Sequence, residues 1–262
     1  MDVAAFEKRG RLLLAPFTAK RPSWVGGQIS AADCDFLAGL LAESGARQVV
    51  EIGVASGWSS ALMLHSLEAS GVSDYAVDAI DLSPAYYLDA SYATGAAVEE
   101  MLPGLLEHYH LHTGRAAFDV TPELGSIDFA FIDANHLHPW ATLDLIAVLP
   151  FISRASWVAM HDINLCRLPR HQHRNRGPFY LFGAWPDIRL TSTENLPMIG
   201  AIQLAREPGA YLDLLFEILA TPWEMALDQE TVGFLSSFVT VHFGPAEAEK
   251  FRSCCAAGRA RL

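Results

Sequence analysis

The most informative segment of the chain is QVVEIGVASGWSS, at residues 48–60. It opens with a short, mostly apolar run that ends at Gly53, which is the pattern of a buried strand. Gly53 and Gly57 then make a turn in which backbone N–H groups can approach a ligand, because no side chain stands in the way. Residues 59–69 have the apolar spacing of a helix. The segment therefore predicts a strand, a ligand-binding turn and a helix in succession.

The same alternation continues along the chain as far as residue 204. Further apolar runs predict strands at residues 75–82, 110–114, 127–133, 156–161, 188–193 and 198–204. Helical spacing predicts helices at residues 31–44, 92–109, 141–151 and 180–185. Because each strand is apolar nearly throughout, both faces of the sheet should be covered, as in parallel sheets. We predict an α/β fold with a seven-stranded, mostly parallel sheet and helices on both faces.

The composition excludes a disordered chain and argues against a nucleic-acid binder. Hydrophobic residues make up 51% and charged residues 18% of the 262, so the chain can build a large core. The net charge of −12 is unfavourable next to a phosphate backbone. Basic residues concentrate in residues 1–21 and 165–176, and we interpret the first of these segments as a solvated tail.

The sequence does not predict a segment that crosses a membrane or directs secretion. The longest stretches without a charged residue, at 52–67 and 231–246, are shorter than the roughly 18–20 residues of a membrane helix. The four cysteines lack the spacing of a metal site and suit reduced thiols. We therefore expect a cytoplasmic protein with neither a membrane partner nor a nucleic-acid partner.

The second predicted strand ends in an acidic residue, Asp81. In nucleoside-binding α/β folds an acid at this position accepts hydrogen bonds from the ribose hydroxyls. A helix-capping or solvated aspartate is the alternative interpretation. The preceding glycine spacing, E-x-G-x-x-x-G, differs from the G-x-G-x-x-G of dinucleotide folds and lacks the Lys-Ser/Thr of a phosphate loop. The glycines therefore need not face a phosphate.

These motifs resemble a known family, the class I S-adenosylmethionine-dependent methyltransferases. VVEIGVASGWSS at 49–60 and AIDLSP at 79–84 resemble its first two motifs. The block FIDANHLHPWATLDLIAVLPFISRASWVAMHDIN at 131–164 is similar to a bacterial subgroup of small-molecule O-methyltransferases, in which the fourth strand ends in Asp-x-x-His and the fifth in His-Asp. MIGAIQL at 198–204 resembles the last, antiparallel strand. The resemblance covers about residues 30–205.

The resemblance implies a Rossmann-like fold that binds S-adenosylmethionine and releases S-adenosylhomocysteine. It places the cofactor-binding methyltransferase domain at residues 30–206, after an N-terminal segment at 1–29 and before a C-terminal helical extension at 207–262. The implied cofactor-binding residues are Glu51, Gly53, Val54, Ala55, Ser56, Gly57, Ser59, Asp81, Arg115, Ala116 and Asp133. Among them Glu51 and the glycines would line the methionine and ribose, Asp81 would bind the ribose, and Arg115 with Ala116 would border the adenine.

Three residues are predicted to be catalytic: Asp133, His136 and His161. Asp133 ends the fourth strand, where the resemblance places the methionine ammonium group and the acceptor. An imidazole at His136 or His161 can take a proton from an acceptor hydroxyl. For His136 the alternative is a histidine that only caps a turn.

A divalent metal is possible but not favoured. Asp133 and Asp162 are the predicted ligands, because metal-dependent O-methyltransferases of this fold carry oxygen ligands at such positions. His161 departs from that pattern, since Mg²⁺ disfavours a nitrogen ligand.

We expect methyl transfer to a small-molecule acceptor, preferably at oxygen. Residues 166–177 are rich in arginine and histidine and would suit an acidic acceptor; a solvated loop is the alternative. A homo-oligomer is left open. Two alternatives for the whole chain are a nicotinamide-dependent oxidoreductase, which the glycine spacing disfavours, and a non-catalytic binding protein that keeps the fold.

Overall fold

The computed structural model describes residues 2–27 and 29–260, which form a seven-stranded sheet with helices on both faces. The strands are β1 (Gln48–Ile52), β2 (Ala76–Asp81), β3 (Tyr109–Thr113), β4 (Ile127–Ile132), β5 (Ile152–Met160), β6 (Arg189–Thr191) and β7 (Gly200–Gln203). Their order is β3-β2-β1-β4-β5-β7-β6. The first five strands run parallel, and β7 is antiparallel to both β5 and β6. The predicted mostly parallel sheet is confirmed.

The helices form two layers, one on each face of the sheet. Their bounds are α1 (Val3–Thr18), α2 (Ala31–Ser44), α3 (Trp58–Ala69), α4 (Ala96–Met101), α5 (Ala117–Val120), α6 (Trp140–Val148), α7 (Gly177–Ala184), α8 (Leu212–Leu219), α9 (Gln229–Phe243) and α10 (Pro245–Arg259). Alternate strand residues face opposite layers, so Val49 packs in the core with α1 to α4 while Val50 packs with α5 to α10. The predicted C-terminal helical extension is also confirmed.

The interpretation of residues 1–21 as a solvated tail is wrong. These residues include α1, which buries Phe6, Leu14 and Phe17 against α2 and α3. α1 and α2 cross where Gly10 faces Gly39, and a Cβ atom on either glycine would overlap backbone of the other helix. The basic side chains lie on the outer face, so a polar composition concealed an apolar stripe.

The predicted helix over residues 92–109 is mostly wrong. α4 spans only Ala96–Met101, a 3₁₀ turn follows at Pro103–His108, and Tyr109 already belongs to β3. Gly95 has a φ of +80°, which lies outside the helical region, and Pro103 has no N–H with which to continue the helix. These two residues therefore limit the helix at both ends.

The sheet topology fixes where a ligand can bind. β1 lies between β2 and β4, so the connections that leave β1 and β4 go to opposite sides. A crevice at the carboxyl ends of the strands forms at such a reversal. Within the described residues, no helix is both long enough and apolar enough to cross a bilayer.

Candidate active site

A cavity of about 740 Å³ opens at the carboxyl ends of β1, β2, β4 and β5. The predicted site residues that line it are Gly53, Val54, Ala55, Ser56, Ser59, Asp81, Arg115, Ala116, Asp133, His136, His161 and Asp162. Its size is in the usual range of small-molecule sites, about 300–1,000 Å³. The strand-end positions identified from the sequence therefore converge on one cavity.

The turn after β1 is shaped by close backbone packing. Gly53 has a φ of +94°, and a Cβ atom there would overlap the backbone carbonyl of Asp133. Gly57 has a φ of +85°, and its Cβ would meet the backbone of Gly95. From the sequence, ligand approach is the expected reason for these glycines. The structure shows a reason that does not depend on a ligand: a side chain at either position would force neighbouring loops apart.

Asp81 holds the same turn from the end of β2. Its Oδ2 accepts hydrogen bonds from the backbone N–H groups of Val54, at 2.9 Å, and Ala55, at 3.0 Å. Its Oδ1 accepts one from the backbone N–H of Ser83 at 2.8 Å. The carboxylate is thereby fixed at the cavity wall, where it retains lone pairs for a ligand hydroxyl.

Glu51 and Gly57 lie behind the cavity and do not line it. Glu51 is fully buried and accepts hydrogen bonds from the hydroxyls of Ser59 and Ser60. Burial raises the pKa of Glu51 to about 8 despite these two donors, so this carboxyl is mostly protonated at neutral pH. Among Glu51, Ser59 and Ser60, only Ser59 lines the cavity. Glu51 thus supports the wall from behind, and its direct contact with the cofactor stays a prediction.

Arg115 and Ala116 line the cavity beside β3, as predicted. The Arg115 guanidinium does not point freely into the cavity, since its Nη1 pairs with Glu123 at 2.9 Å and its Nη2 donates to the backbone carbonyl of Asp119 at 2.7 Å. Ala117, the first residue of α5, continues this wall. The wall near β3 is therefore largely apolar, with the arginine tied to the protein surface.

Four polar side chains meet at the ends of β4 and β5, and we call them the transfer cluster: Asp133, His136, His161 and Asp162. The Nε2 atom of His136 lies 3.2 Å from Asp133 Oδ1 and 3.2 Å from Asp162 Oδ2. The Nδ1 atom of His161 lies 3.5 Å from an oxygen of each of the same two carboxylates. The predicted convergence of these residues is confirmed.

The aspartates and histidines of the transfer cluster shift one another's pKa values. Burial on its own would raise the pKa of Asp133, but His161 and His136 outweigh it and hold that pKa at about 2. Burial likewise disfavours charged histidines, yet Asp133 raises the pKa of His136, and it raises the pKa of His161 well above its usual value. For Asp162 burial dominates and raises the pKa. The site thus pairs an ionised Asp133 with two imidazoles whose pKa it raises.

Sequence reasoning missed a fifth member of this region, Asp33. It is 1% exposed, and its Oδ2 lies 3.4 Å from His161 Nε2, on the side of the ring away from Asp133. Asp33 also forms a capping box with Ser30 at the start of α2. The capping motif was visible in the sequence, but nothing in it indicates that the cap reaches β5. Other lining residues that the sequence did not indicate are Gly26, Gly27, Tyr87, Trp140, Asp144 and Met225.

The arginine-rich loop at 166–177 contributes no residue to the described cavity lining. Arg167 lies over the ring of Phe179 at 5.2 Å, and the backbone N–H of Arg176 donates to Glu224 at 2.8 Å. Tyr180 and Phe182 of α7 pack against the core, as expected of residues that attach a helix to a sheet. The prediction that this loop binds the substrate is therefore unsupported by its position.

One subset of the transfer cluster has the spacing of a metal site. Asp133, His136 and Asp162 each offer a ligand atom, and these atoms lie within 4.8 Å of one another. The set contains the two predicted carboxylates, but its nitrogen ligand is His136 and not His161. One imidazole and two carboxylates suit a divalent ion softer than Mg²⁺.

The sheet order with its antiparallel β7 is that of the class I methyltransferases, and the cavity lies at the reversal of strand order. Residues 50–163 match a family model described as "Methyltransferase domain". The chain accordingly has the fold of the class I methyltransferases, with a methyltransferase domain at residues 50–163. A search of the curated proteins finds no significant match to the chain.

Solved structures with the same fold are numerous. An O-methyltransferase from Bacillus cereus in complex with S-adenosylhomocysteine is 19% identical, with a TM-score of 0.50 over 76% of this chain and 90% of that one. TomG from Streptomyces achromogenes, an O-methyltransferase of tomaymycin synthesis solved with S-adenosylmethionine, is 20% identical, with a TM-score of 0.50 over 79% and 92%. The S-adenosylhomocysteine-bound methyltransferase PaMTH1 of Podospora anserina is 16% identical, with a TM-score of 0.53 over 77% and 92%. At these identities the likeness establishes the fold.

Proposed function

We propose that this methyltransferase transfers the methyl group of S-adenosylmethionine to an oxygen atom of a small-molecule acceptor. The observation that carries the proposal is the single cavity that joins the turn after β1 and Asp81 to the transfer cluster. Similar structures that hold S-adenosylmethionine or its product support the choice of cofactor. The match to a methyltransferase domain favours this reaction over the nicotinamide-dependent alternative.

The cavity residues fit this cofactor. Asp81 presents a fixed carboxylate to the two ribose hydroxyls, and the apolar wall at Ala116 and Ala117 suits a purine ring. Asp133 is ionised and faces the same cavity, so it can accept hydrogen bonds from the methionine ammonium group. We assign cofactor binding to residues 30–206, with an N-terminal segment at 1–29 and an extension at 207–262 whose Met225 lines the cavity.

The chain's own task is to align the acceptor and to remove its proton. The cofactor, when bound, supplies a methyl group that is already electrophilic, so alignment in a dry pocket accounts for much of the rate. We assign the proton acceptor to His136, which lines the cavity with its Nε2 3.2 Å from two carboxylates. Asp133 stabilises the imidazolium that forms. His161, held between Asp33 and Asp133, keeps Asp133 in place.

A metal-assisted transfer is the second candidate, favoured by the spacing of Asp133, His136 and Asp162. A divalent ion at these ligands would lower the pKa of a bound hydroxyl and make a general base unnecessary. We prefer the histidine over Mg²⁺, because the imidazole of His136 departs from the all-oxygen set that Mg²⁺ favours, and chelation followed by added Mn²⁺ tests a softer ion at the same ligands.

We infer an acceptor that carries a hydroxyl group. An acidic acceptor remains a hypothesis from the sequence, since residues 166–177 stand outside the described lining. A cytoplasmic location and a homo-oligomeric state also stay predictions.

The test combines binding and transfer. Calorimetry should show that the wild-type protein binds S-adenosylhomocysteine, and a panel of small phenols and alcohols should yield labelled product from methyl-labelled S-adenosylmethionine. Asp133→Asn should lower kcat about 10²-fold or more while the folded protein persists. The matched control is Asp128→Asn, also on β4, where Asp128 accepts hydrogen bonds from the backbone of Arg47 and Gln48 away from the cavity. A protein that binds the product but methylates nothing in the panel would favour the non-catalytic alternative.

A further inference from the structure

A buried carboxyl without a partner lies in the wall of the cavity, on the helix that follows β4 and its loop. Asp144 is in α6, one helical turn after Trp140, so the two side chains share a face of the helix. Both line the cavity. Asp144 is 6% exposed, and no hydrogen bond or charge from residues 2–27 and 29–260 acts on its carboxyl. A buried polar group without a partner costs free energy, so its presence requires a reason.

The surroundings of Asp144 are apolar and belong to the nucleoside end of the cavity. Ile52 and Ile80, at the ends of β1 and β2, project to the sheet face that α5 and α6 cover, and both line the cavity. α5 packs against α6, which brings Ala117 to the same side. Asp144 is therefore the carboxyl that a flat apolar ligand would meet between these strand ends and α6.

We propose that Asp144 recognises the adenine base of the cofactor by accepting a hydrogen bond from its 6-amino group. The proposal rests on the proposed function, because it requires an adenosine-bearing cofactor in the cavity. An exocyclic amine is a donor that an otherwise apolar slot cannot satisfy, and a buried acceptor left without that donor discriminates strongly against ligands that lack it. Asp144 would thus be a specificity residue that binds the cofactor and takes no part in transfer.

The protonation of Asp144 suits this role. Burial raises the pKa of Asp144 to about 7, with no neighbouring charge contributing. Near neutral pH much of the carboxyl therefore carries a proton, which the adjacent ring nitrogen of adenine can accept. An asparagine has the same pair of groups, an acceptor oxygen and an N–H donor, and should replace the aspartate. A leucine of similar size has neither.

The experiment compares S-adenosylhomocysteine with its purine analogue that lacks the 6-amino group. Calorimetry on the full-length wild-type protein should show about tenfold to hundredfold tighter binding of S-adenosylhomocysteine. Asp144→Asn should keep that preference, and Asp144→Leu should bind the two ligands equally. Thr142→Val is the matched control, because Thr142 lies on α6, is fully buried with an unpartnered Oγ1 among the described residues, and does not line the cavity. It should keep the wild-type preference.

The thermal unfolding of the ligand-free variants supplies a second readout. Asp144→Leu removes a buried carboxyl that has no partner, so its midpoint should equal or exceed that of the wild type. A folded Asp144→Leu protein that retains the preference for the amino-bearing ligand would overturn the inference. Equal binding of both ligands by the wild type would overturn it without any variant. Failure of the wild type to bind either ligand would overturn the proposed function, and this inference with it.

Discussion

The two ends of the cavity treat their buried carboxyl groups in opposite ways. At the nucleoside end, burial raises the pKa of Glu51 to about 8 and that of Asp144 to about 7, and no basic side chain opposes it. At the transfer end, where the side chain of Asp133 is 20% exposed, His136 and His161 hold its pKa at about 2. The balance between burial and basic neighbours therefore decides whether an acid is ionised: Asp162 meets the same two histidines, yet burial dominates there and raises its pKa. The cavity wall thus holds Asp144, whose pKa is raised, and Asp133, whose pKa is lowered.

The ends also differ in what they are made of. The nucleoside end is largely backbone: N–H groups after β1, a positive-φ glycine and a carboxylate that holds them. The transfer end is made of side chains from two strand ends and the cap of α2. We expect substitutions at the first end to affect folding and binding, and those at the second to affect transfer.

The largest effect should come from Gly53→Ala. Its Cβ would overlap the carbonyl of Asp133, and its φ of +94° adds strain, so we expect little or no folded protein. Gly45→Ala is the control, with a φ of +65° and open space around the position, and should cost only about 1–2 kcal/mol. Circular dichroism during thermal unfolding measures both. Equal, small losses would show that the turn after β1 tolerates side chains.

The second prediction concerns the pH dependence of stability at the nucleoside end. The pKa of Asp144 is about 7 in the folded state and near its usual 3.8 when unfolded, so the folded state binds the proton more tightly. Asp144 therefore adds up to about 4 kcal/mol to the free energy of unfolding below pH 4. This contribution is lost as the pH rises through 7. Denaturant unfolding at several pH values should show wild type falling relative to Asp144→Leu across this window. Parallel curves for the two proteins would mean that Asp144 is ionised in the folded state.

Asp81→Ala should have the third-largest effect. It removes the acceptor for a ligand hydroxyl and for the N–H groups of Val54 and Ala55, so S-adenosylhomocysteine should bind about 1.5–3 kcal/mol more weakly. Calorimetry gives the value directly. Unchanged affinity would mean that Asp81 does not bind the ribose and only holds the turn after β1.

The smallest effect should follow chelation. If His136 accepts the proton at the transfer end, methyl transfer should be unchanged by EDTA and by added Mn²⁺ or Mg²⁺. Loss of transfer with EDTA and recovery with Mn²⁺ would instead assign Asp133, His136 and Asp162 to a metal, the second candidate.

The sequence predicted those parts of the site that follow strand ends. Asp81 and Asp133 could be located because a parallel sheet gathers such positions at one edge. Asp144 and Asp33 could not, because one lies in the middle of a helix and the other in a helix cap. Which face of α6 meets the cavity depends on packing, and periodicity does not show it. The same limit explains α1, whose charges suggested a tail while Phe6 and Leu14 formed a buried stripe.

The attachment of α1 has a consequence for biosynthesis. Glu7 of α1 is buried, and its carboxylate accepts hydrogen bonds from the backbone N–H of Thr193 at 2.8 Å and from the Thr193 hydroxyl at 2.7 Å, across 186 residues of chain. A ribosome releases α1 well before Thr193, so this anchor exists only after the β6–β7 hairpin region has emerged. Contacts of such long range slow folding, because loop closure precedes their stabilising effect. The packing of α1 on α2 is local in sequence and does not need this anchor, so the Glu7–Thr193 contact is the late step that ties the two-helix unit to the far edge of the sheet.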